Sequence, residues 1–136
     1  MHGTNAESNG SHAAAISNMV VQLFSQYTGR GPTKAKTHFN EDLIAVVLQD
    51  AMTRAERSLV ADGQSDLVLN VRRTFQKTMS SDLTSGVERI TGRRVVAFFS
   101  DSHGDPDMSI EAFVLAPLPD DDGPGSGPGA DPEDAA

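Results

Sequence analysis

No cysteine occurs in the 136 residues. Disulfides, thiolate metal ligands and cysteine nucleophiles are therefore excluded. Tryptophan is also absent and tyrosine appears once, so six phenylalanines supply nearly all the aromatic packing. No apolar run approaches the roughly 20 residues needed to span a bilayer, and direct membrane insertion is not expected. The opening MHGTNAESNGSH has neither the basic segment nor the apolar segment of a secretory signal. Together these absences suit a cytoplasmic chain. HExxH, GxSxG and the P-loop spacing GxxxxGK[ST] are missing as well, and no nucleophile–base pair stands out. No catalytic residue, cofactor site or metal centre is assigned, and the chain is not expected to be an enzyme.

Hydrophobic residues make up 38% of the sequence, enough for one modest core, and the length suits one domain. The net charge of −8 is unevenly spread. Residues 117–136, PLPDDDGPGSGPGADPEDAA, hold six acids and no base, which leaves 13 acids and 11 bases in the rest. Pro and Gly keep such an acidic stretch from folding, so 117–136 is expected to be a disordered tail. The polar residues 1–10 are expected to be disordered too. A body this close to neutral lacks the basic excess of duplex-binding domains, which argues against nucleic acid.

Between these ends the hydrophobic pattern resolves into elements. With Ser11 as its cap, a helix carries Ile16, Met19, Val20, Leu23, Phe24 and Tyr27 at steps of three, one, three, one and three. Gly29 suits the left-handed residue that ends it, and Pro32 prevents its resumption. Ala35, Thr37 and Phe39 then alternate with Lys34, Lys36 and His38, as in a strand with one wet face. Asn40-Glu41-Asp42 makes a turn, and Leu43 to Leu48 returns as a more buried strand. Thr53-Arg54-Ala55-Glu56 has capping-box spacing, predicting a short helix that stops near Gly63. Ser65 is placed to cap a third helix with Val68, Val71, Phe75, Met79, Leu83, Val87 and Ile90 in its stripe, ending at Gly92. At about 26 residues that helix is ~39 Å long. It would overhang a domain of about 110 residues, so it bends or lies against a second copy; the second course predicts a homodimer. Arg93–Ser100 reads as a buried strand, 101–107 as a turn-rich loop, and Met108–Leu115 as a returning strand with Met108, Ile110, Ala112 and Val114 on one side. The fold class is α+β: a single domain in the order α-β-β-α-α-β-β, its four-stranded antiparallel sheet packed against helices on one face.

Three constellations could carry binding chemistry. In Gly29-Arg30-Gly31-Pro32, followed by Lys34 and Lys36, glycine amides and cations could hold an anion. The carbonyls of the preceding helix end oppose that, and the same residues also serve as an ordinary helix stop. Arg72 and Arg73 lie with Lys77 on the third helix, and Arg89, Arg93 and Arg94 flank its C-terminus, where cations match the helix dipole. Asp101, His103, Asp105 and Asp107 fall within seven residues but lack the EF-hand pattern, and Asp, Gly and Pro are ordinary turn residues. In the opening loop, Gly29 is expected to serve the fold and Arg30 to serve contact.

Several of these segments together resemble the small bacterial MpsC-like family. They are Tyr27-Thr28-Gly29-Arg30-Gly31-Pro32 with Lys34-Ala35-Lys36-Thr37, the strand Leu43–Leu48, and Thr53 with Glu56. Val71-Arg72-Arg73, Ile90-Thr91-Gly92-Arg93-Arg94-Val95-Val96 and Ser100-Asp101 complete the likeness, which spans about residues 11–116. The resemblance implies association with a sodium-translocating, membrane-potential-generating system, with membrane transporter subunits as partners. It implies a non-enzymatic accessory or interaction domain of a family otherwise labelled a domain of unknown function, and it supplies no catalytic residues. The alternative is a small-anion or nucleic-acid binding module using Gly29, Arg30, Gly31, Pro32, Lys34, Lys36, Arg72 and Arg73.

Overall fold

The structure is a computed structural model that describes residues 2–119, with side chains from Asn9 onward. The elements are α1 (His2–Thr28), β1 (Lys34–Asn40), β2 (Leu43–Gln49), α2 (Arg54–Ala61), α3 (Ser65–Thr91), β3 (Val95–His103) and β4 (Met108–Leu115). The expected order and class are what is found. The strands form one antiparallel sheet in the order β1-β2-β4-β3, so the two hairpins join through β2 and β4. The expected tail lies almost entirely outside the described residues.

The helix α1 starts upstream of the expected cap. Ser11 lies inside it, and the polar opening from His2 is helical rather than disordered. No proline interrupts residues 1–28, so the poor helix formers Gly10 and Ser11 weaken the helix without ending it. Its C-terminus is as expected: Gly29 has φ 85°, and its amide donates to the Ser25 carbonyl at 2.9 Å. The next glycine has a different reason. A Cβ on Gly31 would stand 2.9 Å from the Val21 carbonyl oxygen, so the loop passes too close to α1 for any side chain.

Thr53 and Glu56 form the expected capping box of α2. Ser65 does not cap α3; the cap position is Gln64, which makes no side-chain bond. Gly92 closes α3 in left-handed geometry with φ 70°. The long α3 finds its counterpart within the chain, because α1 has the same 27 residues and packs beside it. Tyr27 meets Asp82 near one end of this pair, and Met19 lies against Gly86 further along, so the two helices run antiparallel. The length of α3 thus stops being a reason by itself for a second copy.

Both helices cover one face of the sheet. The core there joins Ile16, Val20 and Phe24 of α1, Met79, Leu83 and Val87 of α3, Ile44, Val46 and Leu48 of β2, and Phe113 and Leu115 of β4. The β3 strand departs from its expected burial. It is an edge strand with a bulge between Val95 and Ala97, and Val96 and Phe99 are 47% and 62% exposed. The set Met108, Ile110, Ala112 and Val114 does share a face, but it is the face without helices; Ser109, Glu111, Phe113 and Leu115 point inward.

Candidate functional site

The first half of α3 carries a polar seam. From Met79 onward the buried residues follow the apolar stripe, but between Val68 and Met79 they are Arg72 and Gln76, while Val71 is 40% exposed. Polar partners on both sides account for this rotation. Arg72 Nη1 donates to Glu56 Oε1 at 2.8 Å, and the same oxygen accepts the Thr53 amide of the capping box at 2.8 Å. One carboxylate therefore starts α2 and fastens it to α3. The pair is dry, with the two side chains only 4% and 12% exposed. One helical turn on, Gln76 Nε2 donates to Ser102 Oγ at 2.9 Å and reaches Glu111 Oε2 at 3.4 Å. Ser102 Oγ also shares a hydrogen bond of 3.0 Å with Ser109 Oγ.

Glu111 is fully buried at the centre of this seam, directly across the β3–β4 ladder from Ser100. Burial pushes its carboxyl up to about 7; the hydrogen bond from Gln76 and the charge of Arg72 counter only part of that rise. Gln76 Oε1, Ser100 Oγ and Glu111 Oε1 are buried without a hydrogen-bond partner among the described residues. A proton on Glu111 gives this cluster one more donor.

Beside the seam, between α3 and the β3 edge, is a cavity of about 520 Å³ lined by Asn70, Arg73, Thr74, Gln76, Lys77, Ser80, Phe98 and Ser100. Arg73 is held by Asn70 Oδ1 at 2.7 Å. Neither Arg73 nor Lys77 forms an ion pair among the described residues, so two cations border a polar hollow.

The cations singled out from the sequence do not gather into one site. Arg30, expected to serve contact, is turned inward. Its Nη1 donates to the carbonyls of Asp50 and Met52, and its Nη2 donates to Asp50 Oδ2 at 3.1 Å. Thr33 and Arg57 converge on the same carboxylate. The Arg30 and Thr33 hydrogen bonds hold Asp50 below the usual carboxylate range. Asp50 itself sits in left-handed geometry with φ 59°, and this clasp ties the loop after α1 to the turn after β2. Nothing local in the sequence marks Asp50 as the hub. Pro32 is buried, and Arg72 is consumed by Glu56. Lys34 and Lys36 stand with His38 on the uncovered face of β1, along a shallow hollow of about 650 Å³. Arg93 pins Asp42 and the Ala116 carbonyl.

The 101–107 segment is likewise spread out. Asp101 and His103 belong to β3, and Asp107 Oδ2 accepts the Met52 amide at 2.9 Å. Among the described residues no group of three or more His, Asp or Glu side chains is arranged to hold a metal ion.

A family model described as "Na+-translocating membrane potential-generating system (MpsC)" matches residues 8–117. No curated protein and no solved structure matches the chain. The matched stretch takes in α1 from residue 8 onward, the whole sheet, α2, α3 and both clasps built on Asp50 and Glu56.

Proposed function

This chain belongs to the MpsC family, and on that premise we propose that it is a non-enzymatic accessory component of a sodium-translocating, membrane-potential-generating system, acting on the cytoplasmic side through protein contact. One observation carries this reading. The family match covers the packed body, yet no helix among the described residues is long and apolar enough to cross a membrane. A chain without a spanning helix has no helical path of its own for an ion through hydrocarbon. Its part is therefore played against membrane transporter subunits, as a peripheral domain. The outer surface of α3, where Leu67 and Val71 are exposed near Arg73 and Lys77, is one contact surface that suits such a role. The test is deletion of the gene in the organism that encodes it, with membrane potential and sodium efflux measured in whole cells. Both fall in the deletion strain and return with the parent chain; unchanged values in the deletion strain contradict the reading.

The cavity beside α3 favours a second reading, a small-anion site using Arg73 and Lys77. Inorganic phosphate titrated into the isotope-labelled protein then shifts the amides of Arg73, Lys77 and Ser100 saturably, and Arg73→Ala abolishes the shifts. The absence of saturable shifts in the parent removes this reading.

A further inference from the structure

The uncovered face of the sheet is ordered into rows by the strand registers. One row runs Lys36–Val47–Ile110–Asp101 from β1 to β3, and the next runs His38–Ala45–Ala112–Phe99. Apart from Gln49, every residue that β2 and β4 present on this face is apolar. Leu43 and Ile110 are each 41% exposed there, and Phe99 on β3 is the most exposed phenylalanine on this surface at 62%. The β1 margin is polar and basic, with Lys34, Lys36 and His38, and Asp101 stands beside His103 at the opposite margin. An apolar centre with a polar rim is the anatomy of an interface rather than of a wet sheet surface.

We propose that this face binds a second copy of the same chain, about a two-fold axis that lies between the two sheets and runs parallel to the strands. That axis places β1 of one copy over β3 of the other. Along a single row, Lys36 then meets the partner's Asp101, and Val47 meets the partner's Ile110, while Ile110 and Asp101 receive the reciprocal residues. His38 comes over the partner's Phe99 in the same way. The other in-plane two-fold axis, across the strands, lays β1 on β1 and sets the lysines of both copies against each other. Like charges opposed across an interface disfavour it, so the charge pattern selects the first axis. Two sheets packed with nearly aligned strands are also a common sandwich geometry.

Size sets the expected strength. Four strands about 4.8 Å apart and seven residues long at ~3.3 Å each give a plane of roughly 400–450 Å² per copy. Side-chain relief raises the accessible area above that, to a total near 1,000 Å² for two copies, at the small end of specific interfaces. The dimer is therefore reversible and concentration-dependent. The proposal stands apart from the accessory-subunit reading, since the face dimerises whatever system the protein serves.

The test is sedimentation equilibrium of the full chain from 1 to 500 µM. The parent's mass rises with concentration from 14.4 kDa toward twice that value. Ile110→Lys raises the dissociation constant at least tenfold, and Phe99→Ser does the same, each with a circular dichroism spectrum and dilute melting curve like the parent's. Lys36→Asp and Asp101→Lys each weaken the dimer several-fold, and the double exchange restores it, which tests the axis itself. A parent that stays at 14.4 kDa throughout overturns the proposal, as does a folded Ile110→Lys that dimerises like the parent. A double exchange weaker than both single changes overturns the assigned axis.

Discussion

Toward the helices, the turn end of the β3–β4 hairpin projects Ser100, Ser102, Ser109 and Glu111, while its other end projects Phe98, Phe113 and Leu115; away from them the hairpin presents Phe99, Ile110, Ala112 and Val114. The β2 strand shows no such inversion on its covered side, where Ile44, Val46 and Leu48 enter the core. One sheet thus has an oily part and a polar part under the same helices, the polar part being the two rows Ser100–Glu111 and Ser102–Ser109. The polar part is tolerated because Gln76 supplies hydrogen bonds there and the Arg72–Glu56 pair sits beside it. The difference shows that alternation determines which residues share a face, while the partners across the gap determine which face turns inward.

The largest effect expected from breaking this comparison is a contrast of two phenylalanines on one hairpin. Phe113→Ala opens a cavity in the core and costs about 3–5 kcal/mol. Phe99→Ala, measured in dilute solution, changes stability by less than about 1 kcal/mol, because that ring is exposed in the single chain. Urea denaturation of both variants at the same low concentration checks the contrast.

The Arg72–Glu56 pair comes next. Arg72→Met leaves a nearly dry carboxylate without its cation and costs about 3 kcal/mol or more. Adding Glu56→Gln keeps the oxygen that accepts the Thr53 amide but removes the stranded charge, so the double variant recovers most of the loss. A double-mutant cycle by denaturant unfolding measures this; strictly additive losses would show that the two side chains are uncoupled.

Glu111 gives a pH signature of comparable or smaller size. Its folded-state value, about 7, lies above the ordinary 4.5. Between those values the native state holds more protons than the unfolded state. The contribution of this group to stability is therefore complete below pH 4.5, falls as pH rises toward 7, and then levels off. The drop is about 3 kcal/mol at 1.36 kcal/mol per unit. Glu111→Gln flattens this part of the stability–pH curve; a variant whose curve retains the parent's slope between pH 4.5 and 7 shows that the slope comes from elsewhere.

The smallest effects belong to the loop after α1. Arg30→Ala costs about 1–2 kcal/mol, because the Asp50 and Met52 carbonyls lose a charged donor. Gly29→Ala costs about 1 kcal/mol for forcing a Cβ into left-handed geometry. Thermal melts rank the two, and an Arg30→Ala melt identical to the parent's would show that the clasp carries no stability.

Much of the fold was legible in the sequence because its signals are local. Gly29, Gly92 and the Thr53–Glu56 box mark ends through the geometry of a few adjacent residues, and strand alternation reveals hairpins at short range. What escaped sequence reasoning depends on distant partners. Hydrophobic periodicity favoured Val71 and Phe75 over Arg72 and Gln76, since it scores apolarity and is blind to Glu56, Ser102 and Glu111 across the packing gap. Arg30 looked free because Asp50, twenty residues away, carries no motif. The start of α1 was misplaced because Ser11 is a good cap in isolation, and a helix-compatible sequence simply continues past it. The basic residues proposed together as a site were joined only by charge, and the fold sends Arg30 and Arg72 inward, Lys34 and Lys36 to the open face, and Arg73 to the α3 cavity.

The contrast between the two faces is tested most directly by nuclear magnetic resonance titration of the Glu111 side-chain carboxyl carbon in the full chain, assigned by its loss in Glu111→Gln. A carboxyl buried among Gln76, Ser100 and Arg72 titrates with a midpoint near 7. A midpoint near 4.5, like that of a solvated glutamate, would contradict the dry polar seam and with it the inward orientation of this part of the sheet.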